Sequence, residues 1–203
     1  MEYTKYLLLL ALCFSSLVMP AQPIIQWQKC LGGTGYEEAH SIQQSTDGGY
    51  IVEGYSKSND GDVSGHHGPL VRRDYWVVKT DQSGTIEWQK SLGGSDSDEA
   101  NSIQQTTDGG YIVAGFSSST DGDITGTHGG MDYWLVKLDS VGNLQWQKSF
   151  GGTGDDRAYF IQQSSDGGYV VAGYSGSNDG DATGNHGGMD YWLVKLDSMG
   201  ILR

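Results

Sequence analysis

The amino-acid sequence predicts an all-β protein that contains three copies of one four-stranded antiparallel unit. Three sequence markers each occur three times in the 203 residues, at a spacing of about 60 residues, and such self-similarity indicates a repeat architecture. Within each unit, apolar and polar residues alternate with the period of two that is typical of β-strands. The markers are WQKxxGG from Trp27, Trp88 and Trp146, DGGY from Asp47, Asp108 and Asp166, and DYW from Asp74, Asp132 and Asp190.

Each unit contains four strand-like runs separated by turn signals. In the last copy the runs are LQWQKSF (144–150), AYFIQQSS (158–165), YVVAGYS (169–175) and DYWLVKLD (190–197). The Asp-Gly-Gly between the second and third runs predicts a tight hairpin, because glycine supplies the positive φ of such turns. A long loop rich in Ser, Asn, Asp and Gly precedes the last run. In the first copy this loop is three residues longer, which indicates an exposed position.

Apolar residues occur on both faces of the central runs, as expected for sheets that are covered on both sides by neighbouring sheets. Four-stranded units stacked in this way are the blades of a β-propeller, and a β-prism is the alternative. The repeats span about 24–84, 85–142 and 143–203. Three units would leave open faces, which predicts a partial propeller or a fragment. The N-terminal strand (24–33), a second chain in a six-bladed ring, or further repeats of a longer chain could cover those faces.

The first residues predict a secretory signal peptide. Lys5 precedes an apolar run that is too short for a membrane span, and Ala21 provides a small residue for cleavage. Residues 1–21 are therefore assigned to the signal peptide, and no second apolar span follows in the mature chain. After cleavage Cys30 is the one remaining cysteine, so no internal disulfide is expected. The formal net charge of −13 argues against a nucleic-acid partner.

The Asp-rich loops are the first candidate site. Each loop contains an Asp-Gly-Asp followed closely by Ser or Thr, and oxygen atoms of this kind bind calcium in flexible loops. Asx turns, in which Asp accepts hydrogen bonds from nearby backbone amides, are the alternative. No other cofactor is predicted. The candidate calcium ligands are Asp60, Asp62, Asp121, Asp123, Asp179 and Asp181.

No residue is predicted to be catalytic. His67, His128 and His186 each precede an Asp, but no nucleophile recurs beside them, and we expect them to fix loops. Adjacent acidic pairs, such as Asp98/Glu99 and Asp155/Asp156, are expected to be solvated. The repeated tryptophans are expected to pack between units. The candidate ligand contacts are the aromatic residues near strand ends, Tyr55, Phe116 and Tyr174.

Residues 88–143 carry the complete motif set, and residues 24–203 resemble the propeller-type repeats of exported proteins from Gram-negative bacteria. Such arrays often end in a type IX secretion sorting domain, and some relatives carry a bulb-type lectin label. The mannose-binding pattern Gln-x-Asp-x-Asn-x-Val-x-Tyr does not occur in this sequence, so no sugar-binding residue is transferred. The resemblance implies a secreted or surface-attached propeller-like array without an established enzymatic activity.

Together these observations predict a non-catalytic, secreted or cell-surface repeat module for glycan or protein binding and adhesion. The expected location is the outside of a Gram-negative bacterium, and the expected partner is an extracellular glycan or protein. The alternative is a part of a propeller-type hydrolase that acts on polysaccharides. Such enzymes collect unlike residues from different blades, whereas the copies here are nearly alike. The main departure is the longer loop of the first copy, which carries Arg72 and Arg73.

Overall fold

The structure is a computed structural model that describes residues 24–203, so the predicted signal peptide (1–21) lies outside the described residues. No helix within residues 24–203 is long and apolar enough to cross a membrane. The described chain is all-β, as predicted. Its strands are β1 (Glu37–Gln44), β2 (Tyr50–Ser56), β3 (Asp74–Thr80), β4 (Ile86–Leu92), β5 (Asp98–Gln105), β6 (Tyr111–Ser117), β7 (Asp132–Leu138), β8 (Leu144–Phe150), β9 (Asp156–Gln163), β10 (Tyr169–Ser175) and β11 (Asp190–Leu196).

The strands form three antiparallel sheets, and in each sheet consecutive strands are neighbours. The orders are β1-β2-β3-β4, β5-β6-β7-β8 and β9-β10-β11. The first strands β1, β5 and β9 contact one another from sheet to sheet, so they form the inner edge of the assembly. We therefore call them the inner strands.

The sheets are offset by one strand from the sequence repeats. Strand β4 begins the second repeat yet completes the first sheet, and β8 does the same for the second sheet. Residues 24–33, which the sequence predicts as a strand, form none, because a strand needs a hydrogen-bonded neighbour and the described chain places none beside them. In the third sheet, Leu202 forms an isolated bridge with Leu196. Leu202 thus occupies the position at which the fourth strand begins in the second sheet, where Leu144 pairs with Leu138.

The predicted Asp-Gly-Gly hairpins join the first two strands of every sheet. In the first hairpin Gly48 has a φ of 88°, and the carboxylate of Asp47 accepts a hydrogen bond of 2.9 Å from the Gly49 amide. The same carboxylate lies 2.8 Å from Nζ of Lys79 on β3. Equivalent ion pairs join Asp108 to Lys137 and Asp166 to Lys195. These Asp residues therefore hold the hairpin to the third strand of its own sheet.

The sheets stack face to face, and the hydrophobic core lies between them. We call the face that a sheet turns to the following sheet its trailing face, and the opposite face its leading face. Between the first and second sheets, Tyr75 and Val77 of one trailing face pack against Val113 and Trp134 of the next leading face. Between the second and third sheets the equivalent positions form a second cluster, which includes Tyr133, Leu135, Val171 and Val194.

Four of the six repeated tryptophans pack between sheets, as expected from their place in the repeat, whereas Trp27 and Trp76 lie at the open end of the arc. Trp134 is fully buried, and its ring centroid lies 4.4 Å from that of Tyr75 in the preceding sheet. Trp88, on the outer strand β4, meets Tyr111 of the next sheet edge to face, with the ring centroids 5.7 Å apart. Both contacts recur one repeat later, which makes the two internal interfaces near copies.

The assembly is an open, propeller-like arc. A prism of three sheets around one axis would bring all three sheets into a common core, whereas here the core is divided between two successive interfaces. The trailing face of the third sheet, with Tyr191 and Leu193, is exposed. Within residues 24–203, no sheet covers the leading face of the first sheet; residues 24–33 lie over Tyr50 and Trp76, and Val63 packs with Trp76 and Val78.

Candidate functional site: the loop corners and the inner-strand groove

The Asp-Gly-Asp loops clamp the turn that leads into the inner strand of the same sheet. In the first sheet, Asp60 accepts hydrogen bonds of 2.8 Å from both the amide and the hydroxyl group of Thr34. Asp62 accepts one of 3.0 Å from the Gly32 amide. These bonds hold the pKa of Asp60 below its ordinary value, with the Thr34 amide as the largest cause. In the other two sheets the equivalent amides donate in the same way, Ser95 to Asp121, Gly93 to Asp123, Thr153 to Asp179 and Gly151 to Asp181.

The six carboxylates therefore accept hydrogen bonds from backbone amides 26 or 30 residues earlier in the chain, rather than from the neighbouring amides of an Asx turn. Across residues 24–203, no group of three or more His, Cys, Asp or Glu side chains is arranged to hold a metal ion. Calcium ligands also include backbone carbonyl oxygens and water, so calcium binding at these loops stays a prediction.

The repeated histidines connect two consecutive sheets. The amide of His67 donates a hydrogen bond of 2.7 Å to Asp74, and its Nδ1 lies 2.9 Å from the same carboxylate. Its Nε2 lies 3.7 Å from the carboxylate of Asp123 in the next sheet. His128 repeats this arrangement with Asp132 and Asp181. His67 and His128 thus fix their loops, as expected, by contacts with carboxylates at the corner where two sheets meet.

Buried carboxylates also lie at these corners. Asp98 is fully buried and accepts hydrogen bonds from the Gly94 amide and from the hydroxyl groups of Ser117 and Ser119. Burial raises the pKa of Asp98 to about 7, although the three hydrogen bonds lower this pKa. Asp156 is equally buried in the third sheet. The expectation that the adjacent acidic pairs are solvated is therefore wrong for these two residues, because local hydroxyl and amide donors replace water.

Asp74 and Asp98 lie on either side of Gly93. A Cβ atom on this glycine would come within 2.6 Å of Asp98 Oδ2 and 3.1 Å of Asp74 Oδ1, so only glycine fits. Gly151 separates Asp132 from Asp156 in the same way. Burial is the largest cause of the raised pKa of Asp74. Both carboxylates of each pair are closed to solvent, so a large substrate has no access to them.

The three predicted ligand-contact aromatics are partly covered by the chain itself. Tyr55 is buried beneath the guanidinium group of Arg73, and its hydroxyl group donates a hydrogen bond of 2.8 Å to Glu38. Phe116 is buried beneath Arg157 in the same way. Tyr174 is half-buried. Ligand contact by these residues stays a prediction.

The aromatic rings that reach solvent near these positions are Tyr36 and Tyr159. Tyr36 is stacked on Tyr55 with ring centroids 6.1 Å apart, and Tyr159 lies 5.9 Å from Tyr174. Both are exposed. The periodic markers did not reveal them, because they occupy positions at which the three copies differ.

The longer loop of the first copy joins two sheets. Arg72 lies 3.3 Å from Asp96, and Arg73 forms an ion pair with Glu99, both acids belonging to the second sheet or its approach. The guanidinium groups are therefore already paired within the chain. Between them and the histidines, Leu70 and Val71 are exposed.

A groove of about 460 Å³ runs across the three inner strands. Oε1 of Gln43 accepts a hydrogen bond of 2.7 Å from the Gln105 amide, and Oε1 of Gln104 accepts one of 2.6 Å from the Gln163 amide. Within residues 24–203 the Nε2 groups of Gln43 and Gln104 have no protein acceptor, so they are free to donate. The groove is lined by Ile42, Gln43, Ser102, Ile103, Gln104, Phe160, Ile161, Gln162, Val170 and Ala172.

The groove combines repeated and variable positions. Gln43, Gln104 and Gln162 are equivalent in the three repeats, whereas Phe160 is equivalent to a serine in the other two. Amide groups beside an exposed aromatic ring can form hydrogen bonds and apolar contacts with one ligand. Alignment of the three copies would have shown the variable position, but not that the inner strands bring the glutamines together.

No family model matches the chain, and no curated protein matches it significantly.

Proposed function

We propose that the chain is a non-catalytic, secreted or cell-surface repeat module that binds an extracellular glycan or protein. The groove across β1, β5 and β9 is the observation that carries this proposal. It crosses all three sheets, and its glutamine side chains have spare amide donors beside the exposed ring of Phe160. A glycan presents hydroxyl groups for such donors and an apolar ring face for an aromatic side chain.

The polar groups that recur in every sheet support a non-catalytic role. The repeated Asp residues accept hydrogen bonds from backbone amides, and His67 and His128 face carboxylates of two sheets. A hydrolase needs a nucleophile or a pair of carboxylates that the substrate can reach. The buried pairs Asp74/Asp98 and Asp132/Asp156 do not offer that access.

The location and the class are part of the same proposal. The signal-peptide pattern in residues 1–21 and the resemblance of residues 24–203 to exported propeller-type repeats support a place outside the cell. The formal net charge of −13 supports a partner other than a nucleic acid.

A glycan-array screen run beside a panel of polysaccharide hydrolase assays tests the proposal. We expect binding to at least one glycan class without turnover. Gln162→Ala should weaken that binding at least several-fold, since this exposed side chain lines the groove. Gln82→Ala, at an exposed turn between β3 and β4, is the matched control and should bind as the wild type does.

Two results would overturn the proposal. Turnover of a polysaccharide that is lost in a groove or loop variant would show a hydrolase. Absence of binding both on the array and in a screen of extracellular proteins would show that the groove is not a recognition site.

A further inference from the structure

The two internal interfaces repeat one specific contact between a tyrosine and a tryptophan. The ring of Tyr75 lies 4.4 Å from that of Trp134, and its hydroxyl group donates a hydrogen bond of 3.0 Å to the Trp134 carbonyl oxygen. Tyr133 forms the same contacts with Trp192, at 4.6 Å and 3.0 Å. The trailing face of one sheet and the leading face of the next thus form a recurring complementary pair.

The third sheet presents such a trailing face, and nothing among residues 24–203 packs against it. Tyr191 is equivalent to Tyr133, and Leu193 is equivalent to Leu135. Tyr133 and Leu135 are buried in the second sheet. In the third sheet Tyr191 is 97% exposed and Leu193 is 72% exposed. Phe160 on the same sheet is 71% exposed and also lines the groove, so association through this face would cover part of the groove. A contiguous apolar face of this kind marks an interaction surface.

The first sheet presents the matching leading face. Tyr50, Val52, Trp76 and Val78 line a cavity of about 470 Å³ beneath residues 24–33. In the other interfaces this space is filled by the trailing face of the preceding sheet.

Residues 24–33 lie where the outer strand of a preceding sheet would lie. The ring of Trp27 is 5.8 Å from that of Tyr50 at 61°, compared with 5.7 Å and 63° for Trp88 and Tyr111. Trp27 also lies against the turn glycine Gly84, as Trp88 lies against Gly142. Within residues 24–203, one end of the arc therefore holds a segment at the position of an outer strand without its sheet, and the other end holds a three-stranded sheet with only Leu202 at the outer-strand position.

We propose that two copies of this chain associate head to tail. The trailing face of the third sheet of one copy packs against the leading face of the first sheet of the other copy. Residues 27–33 of that other copy then continue the fourth strand that Leu202 begins at the edge of the third sheet. The hydroxyl group of Tyr191 then donates to the carbonyl oxygen of Trp76 of the second copy. The register of β3 with β4, in which Val77 pairs with Lys90, places Lys29 of the second copy opposite Leu193.

The corner histidines fit the same arrangement. His67 and His128 bring Nε2 to 3.7 and 3.6 Å from an Asp of the following sheet. His186 is exposed, and the equivalent acid of a following first sheet is Asp62 of the second copy. Two copies would close a ring of six sheets, within the usual range of about four to eight for propellers, whereas three copies would exceed it. This inference goes beyond the proposed function and does not depend on any ligand.

Sedimentation of the purified chain is the first test. We expect a dimer at concentrations of about 10–100 µM, where an association with a micromolar Kd is well populated. Leu193→Glu should give a folded monomer, because this side chain is exposed in the single chain. Val141→Glu is the matched control, since Val141 is 60% exposed in a turn away from both end faces, and it should remain a dimer.

Disulfide trapping shows which segment lies beside the β11 edge of the third sheet. With Cys13 and Cys30 replaced by Ser, the pair Lys29→Cys and Leu193→Cys should cross-link two chains under mild oxidation. The pair Lys29→Cys and Val141→Cys is the control and should not cross-link. A cross-link within one chain would overturn the proposal, because residues 24–33 would then close onto their own third sheet. A monomer without any cross-link would also overturn it, and all these readouts are independent of glycan binding.

Discussion

The hydroxyl group of Tyr133 donates a hydrogen bond of 3.0 Å to the backbone carbonyl oxygen of Trp192, and this bond connects the second sheet to the third. The carbonyl group belongs to β11, and the side chains around it at this interface are mostly apolar. Tyr75 and Trp134 form the same bond between the first and second sheets. The interface between sheets is therefore fixed by a polar contact as well as by apolar packing.

Removal of this hydroxyl group should weaken the stacking of the sheets. We expect Tyr75→Phe and Tyr133→Phe each to lower the free energy of unfolding by about 1 kcal/mol, since a buried carbonyl oxygen loses its donor. Tyr36→Phe removes a hydroxyl group from an exposed ring and should have no measurable effect. Urea unfolding of the three variants measures the difference. Wild-type stability in both buried variants would contradict the role of the bond.

The stability of the protein should fall as the pH rises from 4 to 7, because of Asp98. Its pKa is about 7 in the folded chain, compared with an ordinary value of 3.8. Between these values the unfolded chain releases the proton and the folded chain retains it, so a higher pH favours unfolding. A shift of this size corresponds to at most about 4 kcal/mol.

Asp98→Asn should remove most of that pH dependence, because the amide does not titrate. Asp139→Asn is the control, since the hydrogen bond from the Asn143 amide holds the pKa of exposed Asp139 below 3.8. The control should therefore keep the wild-type slope of stability between pH 4 and 7. Denaturant unfolding at several pH values measures both slopes. An unchanged slope in Asp98→Asn would show that other buried acids, such as Asp74, dominate.

A single buried glutamate distinguishes the first interface from the second. Glu53 is 1% exposed, neither of its carboxylate oxygens has a hydrogen-bond partner, and burial raises its pKa well above the ordinary value. The equivalent residues of the other sheets are Ala114 and Ala172. An unpaired buried acid costs free energy that an alanine does not.

Glu53→Ala should therefore raise the free energy of unfolding at pH 7 by about 1–3 kcal/mol. Ala114→Glu, the reciprocal change, should lower it by a similar or larger amount. Thermal and urea unfolding of the two variants measure these effects. A less stable Glu53→Ala would indicate that the space left by the side chain outweighs the cost of the buried acid.

Features with a local cause could be predicted from the sequence. The strand runs follow from the period of two, and the hairpins follow from the need for glycine at positions such as Gly48. The packing of Trp88 follows from its place between the polar residues Glu87 and Gln89, and that of Trp134 from the apolar run that surrounds it. Each of these depends on residues that are close together in the chain.

Features that depend on neighbouring sheets could not be predicted from one copy of the repeat. Nothing in the sequence marks where a sheet begins, so the assignment of β4 to the first sheet required the structure. Tyr55 and Phe116 are at strand ends, but Arg73 and Arg157 cover them from other segments. Asp98 looked solvated because its hydroxyl donors lie about twenty residues further along the chain.

The carboxylates of the Asp-Gly-Asp loops should contribute to stability without any metal ion. Asp121 accepts a hydrogen bond of 2.7 Å from the Ser95 amide, and this bond is the largest cause of its lowered pKa. We expect Asp121→Ala to lower the free energy of unfolding measurably in the presence of a chelator, because the Ser95 amide loses its acceptor. Asp121→Asn, which keeps one acceptor oxygen, should lose less. Equal stability of all three chains would contradict the clamp.

The calcium hypothesis makes a separate prediction for the same loops. A bound ion at one hundred times its Kd would add about 2.7 kcal/mol to the free energy of unfolding. The stabilisation by calcium should be smaller in Asp121→Ala if Asp121 is a ligand, because this loop then loses a carboxylate while the other two loops are unchanged. Thermal unfolding in millimolar calcium and in chelator measures it, with magnesium as the control for ionic strength. The absence of any stabilisation by millimolar calcium would reject the hypothesis and leave the hydrogen bonds to backbone amides as the role of these carboxylates.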